Sequence, residues 1–353
     1  MKKLIALLLA LVMVLSLTAC GGGRTETAAT EKPAESNNEV VAEEAAPVAD
    51  GGFEADAVIG VSLPWLGTQN WKEAEEMFKA ELEAAGFTPL IQAADQKVAT
   101  QQQQIESMIQ NGAKVIVVGP VDGSQLGAVL EEAKAAGVYV IGYDRLLENT
   151  TGVDCVVQFG SVKTGVLQAE ALLAGLKELK GEGPWNIELF GGGPADPNAP
   201  NFFTGAMSVL QPLIDDGTIN VVSGQLDFAQ CATLDWDNSK AQARMDSLLS
   251  GFYSDIEIHG VLCPNDGIAR ACITSCEQAG QAIPVVSGLD AENESVEWVW
   301  SGRQYSTVAK PTDALVAQTI EIIKALQAGN DMPATDVLEN NGKIDVMIYD
   351  TTF

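Results

Sequence analysis

From Phe53 onward, short β-branched apolar runs alternate with longer amphipathic segments. The pattern predicts strands over Val58–Pro64, Thr88–Ala94, Lys114–Val121 and Tyr139–Arg145, with helices over Trp71–Ala85, Ala99–Gln110 and Leu126–Ala136 between them. Gly86, Gly112 and Gly137 follow the helices as stop signals. Runs such as Val115-Ile116-Val117-Val118 lack polar alternation, which marks strands covered on both faces. After a crossing at Val153–Phe159 the rhythm resumes. Helices are expected over Thr164–Leu179, Phe203–Asp215, Ser239–Ser250 and Ile268–Ala279, with strands over Trp185–Phe190, Ile219–Gly224, Gly260–Cys263 and Pro284–Ser287. A last set comprises Val296–Ser301, a strand at Tyr305–Ala309, a helix at Thr312–Ala328 and a strand at Lys343–Tyr349. Two successive strand–helix cycles predict an α/β protein of two lobes, each a doubly wound parallel sheet. No short fixed period is present, which disfavours a solenoid.

The first residues break this rhythm. Lys2 and Lys3 precede an apolar stretch from Leu4 to Leu17, closed by Thr18-Ala19-Cys20. A positive start, an apolar run and small residues describe a secretory signal peptide, here 1–19. The run is shorter than the ~20 apolar residues of a spanning helix. Cys20 after small residues resembles the lipobox of bacterial lipoproteins, whose cysteine is diacylated and becomes the mature N-terminus. From Cys20 to residue 52 the chain is rich in Thr, Ala, Glu, Pro, Ser and Asn without hydrophobic period, which predicts a flexible tether. The expected location is therefore extracytoplasmic: lipid-anchored to the outer face of the cytoplasmic membrane, or to its periplasmic side, and not threaded through it.

Charge and chemistry narrow the function. A formal net charge of −28 repels nucleic acid and anionic membrane surfaces, so neither is an expected ligand. With Cys20 assigned to lipid, Cys155, Cys231, Cys263, Cys272 and Cys276 remain, an odd number read as small buried hydrophobes. His259 is the sole histidine, no C-x-x-C pair occurs and no acidic calcium loop is present, so no metal is expected. Neither a G-x-S-x-G elbow nor a P-loop occurs, and Gly191-Gly192-Gly193 is read as a turn. The chain is not expected to be an enzyme or to need a cofactor. Trp298 and Trp300 are read as core or lobe-interface residues.

Polar clusters sit where the predicted strands end: Thr68-Gln69-Asn70-Trp71, Tyr143-Asp144-Arg145, Asp196-Pro197-Asn198, Asn265-Asp266 and Leu289-Asp290. Ligands of open α/β sheets bind beyond the carboxyl ends of the strands. Together with Gly60-Val61-Ser62, Gln104-Ile105-Glu106, Asp122-Gly123-Ser124, Asn186-Ile187-Glu188, Phe202-Phe203 and Thr307-Val308-Ala309-Lys310, these clusters resemble, in the same order, the type I periplasmic sugar-binding proteins. The likeness is to their multiple-sugar, xylose and galactose/glucose branch and spans Phe53 to Asp350.

The resemblance implies two lobes joined by a three-strand hinge that close on a sugar. It divides the chain into a first lobe of 53–163 plus 311–335 and a second of 164–310 plus 336–353. It assigns Trp71 and Trp236 to opposite faces of the sugar ring, and Asp144 and Arg145 to polar contacts from the first lobe. Asp196 and Asn198 would grip hydroxyls from the second, with Asn265, Asp290 and Lys310 completing the hydrogen bonds. The chemistry agrees: aromatic planes suit the C–H faces of a pyranose, and charged or amide groups suit its hydroxyl rim. Two positions depart from the pattern. Asn70 stands where the multiple-sugar and xylose binders carry Arg, and Phe202 where the galactose/glucose branch has Arg, so the sugar itself stays open. The expected role is a monomeric solute-binding lipoprotein that delivers a monosaccharide or close relative to an ABC transporter permease. The alternative is a sugar-sensing module that docks on a chemoreceptor or sensor kinase. A DNA-binding repressor shares the core but fits neither the secretory signal nor the missing helix-turn-helix head.

Overall fold

The computed structural model describes residues 52–334, 336–339 and 343–349. The expected signal peptide, Cys20 and the tether up to residue 51 lie outside the described residues. Strands β1 (Val58–Leu63), β2 (Thr88–Ala93), β3 (Val115–Val118), β4 (Tyr139–Tyr143) and β5 (Cys155–Phe159) alternate with helices α1 (Gln69–Ala84), α2 (Val98–Gln110) and α3 (Gly127–Ala135). Helix α4 (Ser161–Lys180) opens the second cycle, with β6 (Trp185–Leu189), α5 (Asn198–Asp215), β7 (Ile219–Val221), the single turn α6 (Phe228–Cys231) and α7 (Asn238–Phe252). It continues through β8 (Gly260–Leu262), α8 (Asp266–Gln278), β9 (Val285–Val286) and α9 (Asn293–Trp300). Helix α10 (Thr312–Gln327), β10 (Asp336–Glu339) and β11 (Lys343–Tyr349) end the described chain.

The strands form two sheets. The first runs β10-β11-β5-β4-β3-β1-β2, parallel except between β10 and β11; the second runs β7-β6-β8-β9 and is parallel throughout. Alternation along β3 explains the layering. Val115 and Val117 join α1 and α10 through Phe78, Leu82, Ile320 and Ile323, whereas Ile116 and Val118 join α2 and α3 through Ile105, Met108 and Leu130. In the second lobe Val261 faces α7 and α8, and its neighbour Leu262 faces α4 and α5. All five remaining cysteines are buried, as expected of small apolar side chains.

Helices α4 and α5 touch at backbone distance. A Cβ on Gly165 would stand 1.9 Å from the Phe202 carbonyl oxygen, and one on Gly205 2.0 Å from that of Val162. One glycine on each helix, set against the other's backbone, permits this close approach.

Three expectations are corrected. Strand β11 pairs in parallel with β5, so 336–349 extend the first sheet instead of completing the second lobe. The physical reason is that β5 would otherwise present an open edge of backbone donors and acceptors. No strand forms at Tyr305–Ala309; a single bridge between Leu289 and Val308 replaces it. Trp300 is 85% exposed and packs in no core, whereas Trp298, half-buried under the Arg303 guanidinium at 3.5 Å, does pack against the core of the second lobe as expected. Among the described residues the chain passes from the first sheet to the second at Gly160 and returns at Lys310–Pro311. The third hinge segment implied by the resemblance is not among them.

Candidate functional site

Both sheets point their carboxyl ends at one cavity. Every residue expected at the site lines it: Asn70, Trp71, Asp144, Arg145, Asp196, Asn198, Phe202, Trp236, Asn265, Asp290 and Lys310. Trp65, Thr68 and Leu289 line it as well. Trp65 was missed, although Pro64-Trp65 directly follows the carboxyl end of β1 and could have been read with the other strand-end clusters.

The first wall is delivered by regular elements. Trp71 lies in the first turn of α1, packed among Ala74, Phe78 and Tyr143, with the Tyr143 ring edge-on at 6.0 Å. Asp144 and Arg145 follow β4 directly. Asp144 takes a left-handed backbone, φ 61°, which turns the chain off the sheet while its N–H still bonds Val157. Arg145 Nη1 donates to the Pro120 carbonyl at 3.0 Å, and the guanidinium carbon lies 5.2 Å from the Trp71 ring centre.

The second wall combines an irregular turn with the starts of two helices. Trp236 ends a 3-10 turn, Leu234–Trp236, in which Asp235 and Trp236 are both left-handed at φ 60° and 55°. Its indole lies against Gly192 and Gly193: a Cβ on Gly192 would meet the ring at 2.1 Å and one on Gly193 at 2.9 Å. The glycine run therefore makes room for an aromatic ring, beyond serving as a turn. The indole Nε1 is buried with no hydrogen-bond partner among the described residues. Asn198 opens α5, its N–H bonding Asp196 Oδ1 at 2.9 Å, and Phe202 follows one turn later. Asn265 caps α8 by accepting from the Ile268 N–H at 3.0 Å. That bond accounts structurally for the Asn265 oxygen and leaves its amide group for the cavity.

Charges from the two lobes meet across the cavity. Arg145 Nε stands 2.8 Å from Asp196 Oδ2, an ion pair off hydrogen-bond alignment, with both side chains buried. Lys310 Nζ stands 2.8 Å from Asp144 Oδ1, and Asn198 Nδ2 donates to the Asp144 carbonyl at 2.8 Å. Burial pushes the Asp196 carboxyl above the usual range, with Arg145 and the Asn198 N–H pulling it back in part. Asp290 is pushed up to about 7, chiefly by burial, with Lys310 opposing. Lys310 is buried, which would lower its pKa, but Asp144 and Asp290 outweigh this and hold it above the usual lysine range. Such pairs cost desolvation when shut away and need further hydrogen bonds to be satisfied. A ligand carrying many hydroxyls supplies donors and acceptors of that kind.

Comparison with known proteins places this geometry in context. The periplasmic binding protein domain matches residues 59–331. The multiple sugar-binding periplasmic receptor ChvE of Rhizobium radiobacter is 40% identical over 301 residues, 84% of this chain and 85% of that protein. The D-xylose-binding periplasmic protein of Escherichia coli (strain K12) is 33% identical over 289 residues, 82% of this chain and 83% of that protein. Among solved structures, an ABC transporter solute-binding protein from Clostridium phytofermentans with bound β-D-glucose superposes with a TM-score of 0.80 at 33% identity, covering 83% of this chain and 92% of that one.

Proposed function

Because the chain belongs to the periplasmic binding protein family, matched along residues 59–331, we propose that it captures a monosaccharide between its lobes and delivers it to an ABC transporter permease. The observation that carries this reading is the convergence of Trp71, Trp236 and the charged and amide groups of both lobes on a single cavity. Trp71 and Trp236 bracket the sugar ring. Asp144, Arg145, Asp196, Asn198, Asn265, Asp290 and Lys310 bind its hydroxyls, while Asn70 and Phe202 shape which sugar fits. The parts form a binding site with no catalytic role. In this reading the protein is a monomer, exported and held to the membrane by lipid on Cys20.

A thermal-shift screen tests the substrate class, since a ligand of the native state adds about 2.7 kcal/mol at a hundred times its Kd. D-glucose, D-xylose or another neutral monosaccharide should raise the melting temperature, and amino acids and nucleotides should not. Stabilisation by an amino acid and by no sugar would reject the reading. The anchor is tested separately: Cys20→Ser should release the protein from washed membranes and leave sugar binding intact, and unchanged retention would refute it.

A further inference from the structure

Outside the cavity, a second set of contacts joins the lobes. Gln69 is the first residue of α1 and precedes Asn70 and Trp71; Glu292 precedes α9 and follows Asp290 by two positions. Helix starts leave backbone N–H groups without intrahelical partners. The Gln69 N–H meets Glu292 Oε1 at 3.3 Å, and the Asn293 N–H meets Gln69 Oε1 at 2.8 Å. Each helix start is thus capped by a residue at the start of the other, as in a capping box but between two lobes. A carboxylate at this point also faces the positive end of the α1 dipole.

Glu292 is 6% exposed, and its own lobe fixes its position. Arg270 Nη2 pairs with Glu292 Oε2, while Arg270 Nη1 donates to Ser295 Oγ at 2.6 Å. The Glu292 N–H donates to Asp266 Oδ2 at 2.9 Å, and the Asp266 carboxylate also accepts from Gln304 at 2.9 Å and Thr307 at 3.0 Å. On the first lobe, Gln69 Nε2 donates to Glu73 Oε1 at 2.6 Å. Both halves are therefore held by their own lobes, and what closure adds is the meeting of the two. We propose that Gln69 and Glu292 form a closure latch, in which Glu292, oriented by Arg270, is a positioning residue that lengthens ligand residence without touching ligand. The latch rests on the sugar-binding reading, and its action is independent of which sugar is held.

Stopped-flow and calorimetric titration of the full chain with D-glucose and D-xylose test it. Glu292→Ala and Gln69→Ala should each weaken affinity by roughly tenfold, the scale of one net hydrogen bond involving a charged or well-aligned partner. The loss should appear as faster dissociation, with association and the glucose-to-xylose affinity ratio unchanged. Gln69→Ala leaves the Arg270–Glu292 pair intact, so it decides the matter even if Glu292→Ala folds poorly. An unaltered dissociation rate in Gln69→Ala, or a changed sugar ratio, overturns the latch. If the parent protein binds neither sugar, it is the substrate reading that fails. The latch is then decided in the ligand-free protein with spin labels at the exposed positions Lys79 and Lys177. A short-distance population that Gln69→Ala depletes supports it, and identical distance distributions reject it.

Discussion

Trp71 and Trp236 line the same cavity but reach it by opposite means. Trp71 rides on the first turn of a sixteen-residue helix whose next buried positions, Ala74, Phe78 and Leu82, form one stripe against the sheet. Trp236 hangs from a left-handed turn and is seated on two glycines that leave no space for a side chain. A helix places an aromatic ring as a by-product of packing its own face. A loop must hold the ring by backbone shape and by clearing the surface beneath it. Both rings belong to the buried core of their lobe, but Trp71 is locked into a helix stripe whereas Trp236 is held by a loop over two glycines, so truncating Trp236 is expected to disturb folding less.

The largest expected effect tests that difference. Trp71→Ala should cost ~3–5 kcal/mol of folding stability, as truncation of a core aromatic does, and should abolish measurable sugar binding. Trp236→Ala should cost clearly less stability and weaken binding by roughly 1–3 kcal/mol, the scale of a lost aromatic and hydrogen-bonded contact. Urea unfolding and calorimetric titration of both variants read the two quantities side by side. Equal losses of stability would erase the contrast between the walls. Normal sugar affinity in Trp236→Ala would remove that ring from the site.

A smaller effect concerns protons on the second wall. Asp290 is pushed up to about 7 and Asp266 to about 6, in each case chiefly by burial. The folded protein therefore keeps protons that the unfolded chain, with carboxyls near their ordinary ~4, has already released. Stability from this source is present at low pH, falls as pH rises from about 4 to about 7, and is flat above that. The ligand-free protein should melt higher at pH 5 than at pH 8, and Asp290→Asn should flatten the difference without removing the share owed to Asp266. An unchanged slope in Asp290→Asn would place the proton elsewhere.

Much of this molecule was legible in the chain itself. Hydrophobic period fixes strand and helix wherever a face is buried, and apart from Tyr305–Ala309 the predicted elements overlap those observed, with α6 and β10 unforeseen. The polar clusters at strand ends were legible for the same reason: a doubly covered sheet leaves only its ends for polar side chains. Tertiary structure decided the rest. The Tyr305–Ala309 segment has the composition of a strand, but it meets its neighbour at a single bridge and stays irregular. Strand β11 joins β5 because an open edge was available there, a fact no local pattern carries. Trp300 reads as apolar and yet lies in solvent, since burial depends on what stands opposite a residue and not on the residue alone. The role of Gly192 and Gly193 beneath Trp236, and the meeting of Gln69 with Glu292, join positions tens to hundreds of residues apart. Sequence determines what each segment can bury or bond, because those preferences are local. Which partner it meets is decided by the packing of two lobes against each other.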